Sequence, residues 1–308
     1  MKKNLVEHSI RFFYLKAKNL YFVLADKGFK KRYSHIPSNL YSLLFNNARV
    51  IQLAEKLGVS FSAEAGFLVA NIPIYDKNVK FILDKQDCFA LLDEQFLRKT
   101  LYNFIFDVPV VVIDIGMSVG DTALFFAANS YVKKVYSYEL MPQTYDRAVQ
   151  NFKLNSDIVS KIEGYNYGLG RDDQELEVPY YDDFDLGNGT FNIARRDRFG
   201  KGIPTTCKIK NIVPEMQRIV QEHPNVALYL KIDAEGAEYE IIDAIFYNHL
   251  SNNIRYIAME YHFGVQNIIE ILKKHHFEII ESFNTFCLGD KNNAEGNIQA
   301  VRQIECKA

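Results

Sequence analysis

Cysteine is scarce and scattered. Cys88, Cys207, Cys287 and Cys306 lie far apart, with no Cys-x-x-Cys pair. That spacing supplies neither a zinc site nor a dense disulfide framework, so a reducing, cytoplasmic setting is expected. Long apolar runs are lacking too: none approaches the roughly 18 residues that cross a bilayer. The apolar residues near the N-terminus are interrupted by Arg11, Lys16 and Lys18, unlike those of a signal peptide. Net charge is almost absent. A formal balance of -2 argues against a dedicated nucleic-acid binder, whose domain is usually strongly basic.

What is present is an ordinary globular composition, 48% hydrophobic and 24% charged over 308 residues. That length holds one large domain, or one domain with a sizeable appendage. The charge is unevenly placed, since residues 1–33 hold nine Lys/Arg and two acids, a net +7 that leaves -9 for the remainder. The basic, aromatic run "SIRFFYLKAKNLYFVLADKGF" reads as a helix stopping near Gly28. It either packs on the rest of the chain, or lies on an anionic membrane or docks a partner. The second alternative would place the protein peripherally at the inner membrane surface.

Two regions follow one another. Residues 1–107 read as helices around a β-hairpin, suited to acceptor recognition or partner docking. "LYSLLFNNARVIQLAEKLG" is one helical pattern, "GFLVANIPIYDKNVKFILD" two strands, and "FALLDEQFLRKTLYNFIF" helical again. From residue 108 to 308, near-continuous apolar strands alternate with amphipathic helices. This predicts an α/β fold, a mostly parallel sheet with helices on both faces. Residues 171–213 fit worse and read as a long insertion or irregular strands and loops.

In such a sheet, ligands bind beyond the carboxyl ends of the strands. The first strand–helix junction is "VVVIDIGMSVGDTALFFA". Gly116 and Gly120 are spaced G-x-x-x-G, which is neither the dinucleotide fingerprint nor a Walker loop. Taken alone, the junction is a tight turn with close strand–helix packing or a cradle for an anionic group at a helix N-terminus. Glu139 ends the next strand, where a carboxylate can accept from the vicinal hydroxyls of a ribose. Strand, glycine turn, helix, strand and terminal acid describe a nucleoside-binding half-fold.

A second constellation lies downstream. Lys231, Asp233 and Glu235 alternate where the strand "VALYLKID" ends, followed by Gly236 and Glu238. An ammonium inside an apolar strand requires a carboxylate partner. Glu260 and His262 end the next strand, so Asp233, Glu260 and His262 converge if the two strands are neighbours. These three could also hold a divalent metal, but a metal-free site is the simpler expectation.

Together these motifs resemble the FkbM-type S-adenosylmethionine-dependent methyltransferases over roughly residues 108–302. The glycine loop, "VYSYELMPQTYDRAVQNFKLN", "LYLKIDAEGAEYEIIDAI", "IRYIAMEYH" and "GNIQAVR" follow in the family's order. Lys-x-Asp-x-Glu-Gly-x-Glu is the most specific of them. Ser118 stands where the family usually has Asn, and Leu140 where it usually has Pro. The resemblance implies a class I, Rossmann-like, seven-stranded methyltransferase domain with an antiparallel last strand. S-adenosyl-L-methionine would be its cofactor, held by Asp114, Gly116, Ser118, Gly120, Asp121, Thr122, Glu139 and Asp172. The ribose would lie on Glu139 and the adenine near Gly168–Asp172. It also implies O-methylation of a saccharide, a glycolipid or another small natural product. For that reaction His262 is the expected base, oriented by Glu260. Asp233 is a second candidate base, Lys231 an internal ion-pair partner, and Glu235 and Glu238 have substrate or structural roles. The competing reading is a non-catalytic nucleotide- or glycan-binding module on the same fold.

Overall fold

A computed structural model describes residues 28–99, 102–182, 202–287 and 294–303, with the side chains of 285–287 excepted. The basic N-terminal helix expected before Gly28 lies outside the described residues. The chain divides into two compact units, Met1–Lys99 and Thr100–Ala308. The division precedes the expected 107/108 boundary because residues 102–107 pack on the second unit's sheet.

In the first unit, α1 (Phe29–Arg32), α2 (Ser38–Asn46) and α3 (Ala48–Lys56) precede an antiparallel sheet. Its strands are β1 (Ser60–Glu64), β2 (Phe67–Ile74) and β3 (Lys77–Ile82), in the order β1-β2-β3. The expected single helix is broken at Asn47, whose side chain donates to the Leu43 carbonyl at 2.9 Å and pairs with Gln86. The expected β2–β3 hairpin is present. The following helix, α4 (Gln86–Leu91), continues as a π-helix over Leu92–Arg98 and stops at Lys99, where φ is +53°. Residues 102–106, within the run expected to be helical, are not helical.

The second unit is built on seven strands. β4 (Val110–Ile115), β5 (Val132–Tyr138), β6 (Ile162–Tyr165), β10 (Ala227–Ile232) and β11 (Ile254–Tyr261) run parallel. β12 (Phe277–Cys287) and β13 (Ala294–Arg302) form the closing hairpin, and β13 lies antiparallel to both β11 and β12. The order is β12-β13-β11-β10-β4-β5-β6. Every residue of β4 is buried, as a parallel strand covered on both faces requires. The helices are α5 (Asp121–Ala127), α6 (Pro142–Lys153), α7 (Ile212–Glu222), α8 (Glu238–Tyr247) and α9 (Gln266–Lys274). Helix α7 had not been anticipated. Asn211 caps it by accepting from the Val213 N–H at 2.8 Å. The poorly fitting segment 171–213 supplies β8 (Gln174–Tyr180) and β9 (Ile203–Asn211), which join β7 (Gly168–Gly170) in a small sheet ordered β7-β9-β8. Among the described residues, no helix is long and apolar enough to cross a membrane.

Candidate active site

The cradle begins where β4 ends. Gly116 (φ +79°), Ser118 (φ +50°) and Gly120 (φ +85°) all take left-handed backbone, turning the chain sharply into α5. The two glycines have packing reasons as well. A Cβ on Gly116 would stand 1.7 Å from the Asp233 carbonyl oxygen, and one on Gly120 would stand 2.6 Å from the Phe152 ring. Packing thus accounts for glycine at both positions of the loop expected to cradle the cofactor.

Beneath the loop, Lys231 of β10 pairs across the sheet with Asp114 of β4, which is its register partner. Their side chains meet at 3.2 Å and both are buried. The Lys231 ammonium also donates to the Gly116 carbonyl and, at 3.4 Å, to that of Ile115. Burial opposes its charge. Asp114, Asp233 and Asp121 outweigh that and hold Lys231 above the usual lysine range. Asp114 accepts further from Thr122 Oγ1 at 2.9 Å and Ser137 Oγ at 3.1 Å. Asp114 and Thr122, expected against the cofactor, instead turn inward and brace the cradle's floor. The reason is the cross-strand register, which puts Asp114 opposite the lysine.

Glu139 lies just beyond β5 with 5% of its surface exposed. Its carboxylate accepts from the Ser118 N–H at 3.0 Å and the Met141 N–H at 2.9 Å. Burial pushes it up to about 8 against the lowering effect of those two donors. Two polar atoms of the cradle are shut from solvent with no hydrogen-bond partner, Ser118 Oγ and Asp121 Oδ1. Burial also pushes the Asp121 carboxyl up to about 7. Asp172 is exposed in the turn between β7 and β8. Its neighbour Asp173 is the one engaged there, accepting from the Asn211 N–H at 2.6 Å. An enclosed carboxylate able to accept from a diol, orphaned polar atoms and a glycine turn fit S-adenosylmethionine, which carries a ribose diol and an ammonium–carboxylate end.

At the ends of β10 and β11 the acids gather. Tyr102 donates its hydroxyl to Asp233 Oδ2 at 3.0 Å and Glu260 Oε2 at 3.4 Å, and its ring lies 5.0 Å from the Lys231 ammonium. Lys231 Nζ is 4.0 Å from Asp233. Burial and the charge of Asp233 push Glu260 up to about 8. Burial and the same two carboxylates keep the Tyr102 hydroxyl protonated far beyond its ordinary range.

His262 corrects an expectation. Strand β11 stops at Tyr261, so strand periodicity no longer governs the next residue. The imidazole turns to the start of α8 and the loop before it. Its Nδ1 meets Glu238 at 3.0 Å and its Nε2 meets Glu235 at 3.4 Å. Burial lowers its pKa, but the Glu238 hydrogen bond and the charges of Glu238, Glu235 and Asp233 prevail and push it up to about 10. At neutral pH it is an imidazolium, not a base. Glu238 is fully buried and also accepts from the Ala234 and Gly236 N–H groups at 3.1 and 3.0 Å. Asp233, Glu235 and His262 bring their ligand-type atoms within 4.8 Å of one another. Glu260, expected in such a trio, is not part of it. Sequence reasoning missed Tyr102. The signal was an alternation of aromatics, Tyr102, Phe104 and Phe106, inside a run read as helical.

The family model described as the Methyltransferase FkbM domain matches residues 114–281, more than half of the chain and the whole stretch from Asp114 to the closing hairpin. Methyltransferase 1 of Beauveria bassiana (strain ARSEF 2860) is 23% identical over 178 residues, 52% of this chain and 70% of that protein. Methyltransferase sdnD of Sordaria araneosa is 22% identical over 196 residues, 54% of this chain and 75% of that protein. Among solved structures, Methyltransferase FkbM from Methylobacillus flagellatus KT gives a TM-score of 0.40 at 15% identity, covering 83% of this chain and 59% of that one. M. capricolum TrmK in complex with S-adenosyl-homocysteine gives 0.37 at 11% identity, covering 65% of each chain. The chain thus spans less than two thirds of either solved chain. The chain belongs to the FkbM-domain methyltransferases.

Proposed function

We propose that this protein transfers a methyl group to a hydroxyl oxygen of a saccharide, glycolipid or other small hydroxylated product, and that Asp233 takes the hydroxyl proton. One observation carries the reading: the strand ends beside the cradle hold an O–H, that of Tyr102, against two carboxyl groups. When bound, S-adenosylmethionine supplies an electrophilic methyl on a sulfonium, open to in-line displacement. The protein's contribution is position and a destination for the proton. Glu260 at about 8 and His262 at about 10 both carry protons near neutral pH. Asp233 lies nearer that hydroxyl than Glu260 does, 3.0 against 3.4 Å, and has the Lys231 ammonium 4.0 Å away. Several acceptors in one place, Asp233, Glu235 and Glu260, suit a ligand with several hydroxyl donors. Lys231 meanwhile fixes the carbonyls of Ile115 and Gly116, keeping cradle and base in register.

The test is a panel of sugars, sugar nucleotides and glycolipids incubated with methyl-labelled S-adenosylmethionine and scored by mass. A one-methyl gain on an oxygen is expected. Asp233→Asn should lose about a hundredfold or more of turnover. Transfer confined to nitrogen or carbon acceptors, or wild-type turnover in Asp233→Asn, would defeat the proposal.

A further inference from the structure

Residues 102–107 form an irregular strap whose burial alternates along the chain. Tyr102, Phe104 and Phe106 are buried, while Ile105 between them is 94% exposed. Phe104 and Phe106 each pack on Tyr229 of β10 and Tyr256 of β11, with centroids 5.3–5.5 Å apart. Asp107 fastens one end through Arg255 and Tyr256. At the other end the Tyr229 hydroxyl donates to the Tyr102 carbonyl at 2.8 Å. Tyr229, Lys231 and Asp233 share one face of β10 and its extension, and Tyr256 and Glu260 one face of β11. The strap therefore tracks both strands toward their carboxyl ends and delivers Tyr102 where Asp233 and Glu260 stand side by side. Tyr102 holds a left-handed backbone there, φ +55°, a conformation a bulky residue keeps only when its surroundings over-determine it.

We infer that Tyr102 is a positioning residue for the proposed reaction, its hydroxyl bridging Asp233 and Glu260 so that the pair is held ready for the acceptor. The inference rests on the hydroxyl-acceptor reading above. Two carboxyl groups on adjacent strand ends need a donor between them to fix their spacing, and the hydroxyl is the one part of Tyr102 that touches both. The ring's contact with the Lys231 ammonium would survive in phenylalanine. Tyr102→Phe thus removes the bridge and keeps the packing, with Lys231, Glu235 and His262 unchanged around it.

In the full-length Tyr102→Phe protein, kcat on an acceptor found by the saccharide panel should fall on the order of tenfold or more. KM for S-adenosylmethionine and the melting temperature should stay near wild type. The acid limb of the pH profile should move upward, because the carboxyl pair loses the shared donor that favours its charged form. Wild-type kcat with an unmoved limb overturns the inference. If the wild-type protein methylates no hydroxyl at all, the function proposal fails separately. The tyrosine is then judged in the cofactor-free protein by carboxyl carbon-13 titration of Glu260. An upward move in Tyr102→Phe supports the bridge, and an unchanged curve overturns it.

Discussion

His262 shows how a residue chosen as a base becomes a strut. Glu260 made it look catalytic in sequence, but Glu235 and Glu238 are the carboxylates that hold its proton on. The linkage has a definite sign. The folded pKa of about 10 lies above the ordinary value of 6.5. The imidazolium's contribution to stability is therefore full below 6.5 and lost as pH rises toward 10. Denaturant unfolding of wild type and His262→Gln should accordingly differ most at pH 6 and converge by pH 10. A gap that stays constant across that window would contradict the ion-pair assignment. Glu238→Gln leaves a buried imidazolium without its main partner, and a cost of about 3–5 kcal/mol at pH 7 is expected. Turnover should depend on Asp233 far more than on His262, since Asp233 meets the Tyr102 hydroxyl while His262 is engaged by Glu235 and Glu238.

The glycine loop is an element whose two glycines are not equivalent. A methyl at Gly116 would overlap backbone, the Asp233 carbonyl, whereas one at Gly120 would meet the Phe152 ring and the Ala148 methyl. Side chains can give way and a strand end cannot. Both substitutions also carry the left-handed backbone penalty of about 1–2 kcal/mol. Gly116→Ala should therefore unfold at distinctly lower denaturant than Gly120→Ala, and calorimetry should show it binding S-adenosylhomocysteine more weakly. Equal stability of the two variants would refute this account. The element pattern was legible because it is local: β4 and β10 are apolar but for Asp114 and Lys231, and Asp233 follows where the strand ends. What escaped depends on distant partners. Asp114 turns inward only because Lys231 is its cross-strand neighbour. Tyr102 lay hidden in a run of helical composition, and the helix ends instead at the left-handed Lys99. Asn47 breaks a helix through a hydrogen-bonded pair with Gln86, thirty-nine residues away.

For the molecule as a whole, the cost of building this site is paid in pH-dependent stability. Asp121 at about 7, Glu139 at about 8 and Glu260 at about 8 are all raised above an ordinary carboxylate. The folded state binds more protons than the unfolded chain between roughly pH 4 and 8, so stability declines as pH rises through that window. His262 acts in the same direction up to about 10. The melting temperature of the cofactor-free protein should thus be highest in mildly acidic buffer and fall steadily toward pH 9. Cofactor opposes the decline. If ribose hydroxyls donate to Glu139, they favour its ionised form, and S-adenosylhomocysteine should raise the melting temperature more at pH 8.5 than at pH 6. Glu139→Gln has no charge to favour, so its ligand-induced rise should be smaller and should not grow with pH. Scanning calorimetry of both proteins, with and without S-adenosylhomocysteine, reads all of these quantities. A cofactor-free melting temperature that stays level from pH 6 to 9 would show that these carboxyl groups are not held protonated by burial. A ligand-induced rise equal in both proteins would take the ribose off Glu139.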